Sequence, residues 1–187
     1  MTQFQLDCSR SRIEFGVRHM LVSTVRGHFS EFEADISVDP NNIEAGQVRA
    51  KVDVCSVNTH EKLRDDYLRG EFFAPEKYPA ILFSSTRAQL RGRKVTIHGD
   101  LTIREVTRSI VLEGTMNGPS EGWSGSPQRL TFDLKGEIER ERFGLSFPKT
   151  VETVSVVVGK KVSLQLHIEL AATAAAAALA VRRRALR

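Results

Sequence analysis

The feature that most limits what this chain can fold into is a period of two. In residues 162–170, Val162, Leu164, Leu166, Ile168 and Leu170 alternate with Ser163, Gln165, His167 and Glu169. Successive side chains of a strand point to opposite faces, so such a segment buries one face and wets the other. The same beat sets Ile13, Phe15 and Val17 against Glu14 and Arg18, and Val48, Ala50, Val52 and Val54 against Arg49, Lys51 and Asp53. It returns in Val95, Ile97, Gly99, Leu101 and Ile103 against Thr96, His98, Asp100 and Arg104, and in Leu130, Phe132, Leu134 and Ile138 against Thr131, Asp133, Lys135 and Glu139. Weaker runs at residues 29–38, 80–86 and 109–114 bring the expected total to about eight strands. One-sided burial marks an antiparallel sheet. A sheet of about eight strands that closes on itself loses its unpaired edges and encloses an interior, which side chains fill or a small ligand occupies. The expected fold is an all-β antiparallel barrel.

Three segments break the beat. Residues 58–79, NTHEKLRDDYLRGEFFAPEKYP, offer Asn58 or Thr59 as a helix cap, Leu63, Tyr67 and Leu68 at helical spacing, and then Phe72 and Phe73 ahead of Pro75 and Pro79. A short helical insertion across a barrel end is expected, either as a plug over core or as a lid over a cavity mouth. Residues 117–128, rich in Gly, Ser and Pro, read as a loop that places Trp123 beside a barrel end. Residues 171–187 form an Ala- and Arg-rich tail of high helix propensity without an apolar stripe, distinct from the barrel domain of residues 1–170.

Charge narrows the partners. The net charge of +4 comes from that tail, because its four arginines face no Asp or Glu and the body is balanced without them. A nucleic-acid surface needs clustered Lys and Arg, and the body has none to spare. The arginines are read as a solvated helix end, with weak attraction to an anionic membrane surface as the second reading. The longest apolar run, at residues 171–181, is too short and too weakly hydrophobic to span a bilayer. The amino terminus, MTQFQLDCSRSRIEF, lacks a basic region and an apolar stretch, so a cytoplasmic chain is expected. Cys8 and Cys55 are too few for a disulfide scaffold or a thiolate zinc site.

Residues 16–29, GVRHMLVSTVRGHF, gather His19, His28, Arg18 and Arg26 among Val17, Val25 and Phe29. Neither this pair of histidines nor His60, His98 and His167 has the spacing of a zinc site. There is no Gly-x-Ser-x-Gly elbow, and neither cysteine has a histidine close in sequence. Carboxylates paired on a wet face, Glu31 with Glu33 and Glu137 with Glu139, read as solubility. No catalytic residue, metal site or required cofactor is expected.

The blocks IEFGVRHMLVSTVRGHFSEF, VNTHEKLRDDYLRGEFFAPEKYPAILFSST, VTIHGDLTIREVTRSIVLE and RERFGLSF follow in an order and at spacings that resemble the YceI-like family, from about residue 6 to 170. The resemblance implies a lipocalin-like barrel that encloses long amphiphiles such as polyisoprenoids and isoprenoid quinones, and a homodimer. Lys160 and Lys161 stand where that family tends to be acidic, and Phe147-Pro148 where an aromatic with a polar follower is usual.

Residues and resemblance together favour the apolar faces over the polar trim. Phe15, Val17, Phe29, Val52, Val54, Phe83, Ile97, Leu101 and Phe132 are expected to wall a tunnel. Leu68, Phe72 and Phe73 are the candidate gate, and Arg18, His19 and Arg26 the candidate headgroup contacts if they fall at the barrel mouth. Two other readings stand beside this one. In the first, a barrel filled by its own side chains acts through its surface; in the second, an enzyme holds a lipid or quinone as substrate.

Overall fold

The structure, a computed structural model, describes residues 4–19, 23–120, 127–147 and 158–173. Its sheet is antiparallel and has 11 strands. These are β1 (Phe4–Leu6), β2 (Arg12–His19), β3 (Ser23–Phe29), β4 (Phe32–Asp39), β5 (Asn42–Asp53), β6 (Val57–Asn58), β7 (Ala80–Arg91), β8 (Lys94–Ile103), β9 (Val106–Ser120), β10 (Arg129–Glu139) and β11 (Val158–Ala172). Hydrogen-bonded neighbours run β4-β5-β7-β8-β9-β10-β11-β2-β3-β6, with β1 paired to β11. The sheet curls into a lipocalin-like barrel.

Curling follows from one ribbon of chain. β3 and β4 are a single path bent at Ser30 and Glu31; its first half pairs with β2 and its second with β5, at opposite ends of the strand order. β5 and β6 accompany it as the other side of a long hairpin, held across the bend by Asp53 N–H to Glu31 O (3.0 Å) and Ser30 N–H to Ser56 O (3.3 Å). β1 and β2 likewise share one side of β11. The 11 segments therefore trace about eight lanes, each interruption being a short bend.

Several sequence-based boundaries are corrected. β9 runs on through Ser120, into the stretch expected to be loop, and its pairing with β10 shifts register there. Ala171 and Ala172, assigned to the tail, extend β11 and pair with Gln5 and Phe4. Trp123, Pro148 and the tail from residue 174, including the expected tail helix, lie outside the described residues. The insertion is an α-helix, α1 (Lys62–Tyr67), followed by a π turn, Leu68–Phe72. Its cap is Glu61, whose carboxylate accepts from Leu63 N–H and Arg64 N–H. Asn58 and Thr59 do not cap it, because Asn58 Oδ1 takes His60 N–H and the Thr59 hydroxyl donates to Asp65. Leu63, expected on the apolar face, is 79% exposed.

The buried residues fall into two clusters, one toward each end. At one end Val95, Leu112, Leu130, Leu134 and Leu170 pack with Phe4 and Ile43. At the other, Phe29, Val52, Val57, Ile103 and Ile138 pack beneath Leu68, Phe72 and Phe73 of the insertion, with Phe143 and Leu145 alongside. Ile97 and Phe132 of the first cluster and Leu101 of the second mark the transition between them.

The short β1 is latched by Arg129, whose Nη1 reaches Asp7 Oδ2 at 2.9 Å and Glu169 Oε2 at 2.8 Å. Hydrogen bonds from Ser9 and Arg129 hold the Asp7 carboxyl below its ordinary value of 3.8. A carboxyl lowered on folding stabilises the fold above its unfolded value and loses that contribution as pH falls through the folded value. The protection of the Gln5 and Leu6 amides, taken relative to their intrinsic exchange rate at each pH, is therefore expected to hold from neutral pH down to about pH 4 and to fall below it. Asp7→Asn should show the lowered protection already at neutral pH.

Candidate functional site

Because inward side chains alternate with outward ones on every lane, the barrel axis is walled by hydrocarbon. The walls do not meet. A cavity of about 410 Å³ runs between the two clusters, from Leu6, Ile36, Val38 and Ile43 at one end to Tyr67, Phe72, Leu145 and Phe147 at the other. Along its length it is apolar, with Ile13, Phe15, Val48, Ala50, Phe83, Ile110, Leu134 and Leu164 among its walls. Small residues on the β4–β5 side, Ala34 facing Ala50, leave part of the width unfilled.

Polar residues border the lining in two places. Toward the insertion are Arg18, His19, Thr59, Arg64 and Arg140. On the β4–β5 side are Glu33, Ser37, Gln47 and Ser85. There the β5–β7 ladder stops at Arg49 and Ser84, and Ser85 Oγ takes over by accepting Val48 N–H at 2.8 Å. Glu33, Ser37 and Gln47 lie on the outward beat of β4 and β5, where Glu33 meets Lys51 at 3.3 Å, so they border the cavity from within the wall.

The end under the insertion is closed by stacked rings. Phe72 and Phe147 stack at 4.9 Å, Tyr67 and Phe147 at 6.1 Å, and Phe72 meets Phe73 edge-on at 5.4 Å. Burial raises the Tyr67 phenol above its ordinary value, and the Glu71 carboxylate pushes the same way. Arginines tie the closure down: Arg69 donates to Val57 O, Arg104 to Phe72 O, and Arg64 to Thr59 O and Oγ1. Arg140, its side chain 4% exposed, donates to Leu145 O (2.7 Å), Gly159 O (3.1 Å) and Val158 O (3.2 Å) and lies over Phe147 at 4.8 Å. A guanidinium is weakly hydrated for a cation, and carbonyl acceptors with an aromatic face satisfy it in the interior.

Comparison with known proteins matches residues 4–170 to the YceI-like domain. The chain belongs to the YceI-like family. A UPF0312 protein of Staphylococcus aureus is 31% identical over 170 residues, covering 90% of this chain and 97% of that protein. A YceI protein of Campylobacter jejuni superposes with a TM-score of 0.66 at 29% identity, over 79% of this chain and 85% of that one. BcnA of Burkholderia cenocepacia gives a TM-score of 0.76 at 23% identity, over 88% and 99% of the two chains. A polyisoprenoid-binding domain from Saccharophagus degradans gives 0.71 at 16% identity, over 92% and 100%.

In this YceI-like barrel the expected wall residues Phe15, Val17, Phe29, Val52, Phe83, Ile97, Leu101 and Phe132 all border the cavity, as do Leu68, Phe72 and Phe73. Val54 does not. Asp53 accepts Cys55 N–H and turns residues Val54–Ser56 into a single 3-10 turn, so Val54 leaves the alternation and packs inside the cluster under the insertion. Arg18 and His19 border the cavity at the end of β2, whereas Arg26 is exposed on β3 and absent from the lining. The arginines tie Leu68, Phe72 and Phe73 into a pinned closure.

Arg64, Arg140, Tyr67 and Phe147 border the cavity without having been expected there. The repeat RER at residues 140–142 reads as surface charge, and only its packing distinguishes Arg140. Lys160 and Lys161 meet Glu141 at 2.9 Å and Glu137 at 2.7 Å on the outside of the barrel. Among the described residues, no cluster of His, Cys, Asp and Glu large enough for a metal ion occurs.

The closure predicts a contrast. Phe72→Ala, which empties the centre of the ring stack, is expected to lower unfolding free energy by about 3–5 kcal/mol in a urea titration. Leu63→Ala on the exposed side of the same helix should stay within about 0.5 kcal/mol.

Proposed function

We propose that this YceI-like protein binds a long-chain amphiphile, such as a polyisoprenoid or an isoprenoid quinone, with its apolar tail along the barrel axis, and that it carries or stores this ligand. The observation that supports this most is the cavity's continuous hydrocarbon lining along the barrel axis, which Arg18 and His19 border at the end of β2. Such a site takes a tail inside and leaves a head outside. Burying one methylene is worth roughly 0.8 kcal/mol. A prenyl unit of about five carbons then contributes on the order of 3 kcal/mol before the costs of association, so several units bind without a charged anchor. The polyisoprenoid-binding domain of Saccharophagus degradans, similar in fold, points to the same ligand class.

In this reading Phe15, Val17, Phe29, Val52, Phe83, Ile97, Leu101 and Phe132 contact the tail, while Arg18 and His19 face the head. Phe72 and Phe73 close the barrel at that same end, under the insertion, and the tail runs from there toward Leu6 and Ile43. The protein works by binding rather than by turnover, in the cytoplasm, and associates as a homodimer. Light scattering on the purified chain checks the last point, with a mass of twice 20.9 kDa expected.

The decisive experiment is native mass spectrometry on gently purified protein, followed by solvent extraction of whatever is bound. One prenyl chain, quinone or fatty amphiphile per chain is the expected result. A mass of protein alone, unchanged after incubation with isoprenoids, overturns the reading in favour of a barrel that acts through its surface. Ala50→Phe, which projects a ring into the lumen opposite Ala34, should fold with unchanged far-ultraviolet dichroism and lose the bound ligand. Retention of the ligand at full occupancy by Ala50→Phe would place the binding site elsewhere.

A further inference from the structure

Across the barrel at mid-height, large and absent side chains alternate from lane to lane. Gly27 of β3 pairs with Phe15 of β2, Phe15 with Leu164 of β11, and Leu164 with Gly136 of β10. On the far side Gly99 of β8 stands beside Phe83 of β7. This belt lies where the two core clusters meet, since Phe83 and Leu164 pack against both.

What each glycine touches explains its place. A Cβ on Gly27 would lie 2.5 Å from Phe15 Cζ, one on Gly99 2.3 Å from Phe83 Cζ, and one on Gly136 2.8 Å from Leu112 Cδ2. Carbon atoms in contact sit about 3.5–4.0 Å apart. The two rings and the leucine therefore lie flat against bare backbone, in the space a side chain would have taken. Aromatic rings laid over strand glycines are a known device of sheets, and small residues opposite large ones set the width of a barrel interior. Phe15, Phe83 and Leu112 all border the cavity. Standing upright, they would reach into it.

We propose that Gly27, Gly99 and Gly136 set the bore of the lumen at its waist and so select ligands by length, an assignment that rests on the lumen being the seat of a long apolar chain. With the glycines in place the two halves form one continuous channel. A methyl group at any of them tilts its neighbour inward and divides the channel into two short pockets. A tail longer than one half is then excluded, while a tail that fits one half is kept.

Gly27→Ala is the clearest variant, because the atoms nearest its new methyl are side-chain tips of Phe15 and Thr59, with a backbone oxygen only at 3.0 Å. At Gly99 a backbone oxygen lies at 2.7 Å, so that position adds backbone strain. Binding of farnesol and of the much longer solanesol is measured by displacement of an environment-sensitive fluorescent fatty acid. Gly27→Ala should bind farnesol within about twofold of the parent chain and solanesol about tenfold or more weakly, in the range that small volume changes give in apolar pockets. Adding Phe15→Leu to Gly27→Ala should restore solanesol binding, which a merely damaged fold does not do.

A folded Gly27→Ala protein that binds both alcohols like the parent overturns the proposal, as does a crystal structure of it with the Phe15 ring unmoved. Should Gly27→Ala fail to fold, Gly136→Ala with Leu112→Ala as its rescue carries the same test, its nearest backbone atom being 3.1 Å away. A parent chain that binds neither alcohol defeats the ligand class instead. The position of the Phe15 ring in the variant crystal then still decides whether the glycine sets the bore.

Discussion

Everything in this barrel depends on keeping the inward face of the sheet from water. Each lane carries hydrocarbon on that side, and no lane buries it alone. Closure comes from the bend at Ser30 and Glu31, which lets one path of chain pair with β2 below and β5 above. The hydrogen bonds from Asp53 to Glu31 and from Ser30 to Ser56 keep the ribbon whole through that bend. Without the bend the same strands would make an open, twisted sheet with an apolar side in solvent. The insertion, the Arg129 latch and the Arg140 clip each finish one part of what the bend begins.

The lumen is consequently a by-product that has been kept rather than filled. Interiors of proteins are normally packed to the density of organic crystals. Here the sequence supplies Ala34 and Ala50 on one side and glycines at the waist on the other, where leucine or valine would have closed the gap. Conversely, the two ends are well packed: Leu130, Leu170, Val57 and Val95 are almost wholly buried. Stability resides at the ends and room in the middle, which lets a binding site coexist with a firm fold.

The strands and the inward identity of Phe15, Val52, Phe83, Leu101 and Phe132 were legible in the sequence, because alternation records directly which side of a strand meets water. Val54 was misassigned since its fate turns on one hydrogen bond, from Cys55 N–H to the Asp53 carboxylate, which no pattern of hydrophobicity carries. The cap on α1 was misplaced for a similar reason. Asn58 and Thr59 are good capping residues in general, but each is engaged elsewhere here, leaving Glu61 to do it. Arg26 and Arg18 look alike in sequence, and only the position of the strand end separates a rim residue from one on the outer wall. The waist glycines could not be read at all. Their meaning appears only once the register pairs Gly27 with Phe15 and sets Gly99 diagonally across from Phe83, whose own partner is Leu101.

A channel of about 410 Å³ lined by hydrocarbon also makes the molecule mechanically unusual. Unfolding releases internal voids, so pressure favours the unfolded chain in proportion to the empty volume the fold contains. An unladen barrel is accordingly soft to compression, and one whose axis is occupied is stiff. The same few missing side chains that keep the channel open thus make the protein's compressibility a record of whether the channel is filled.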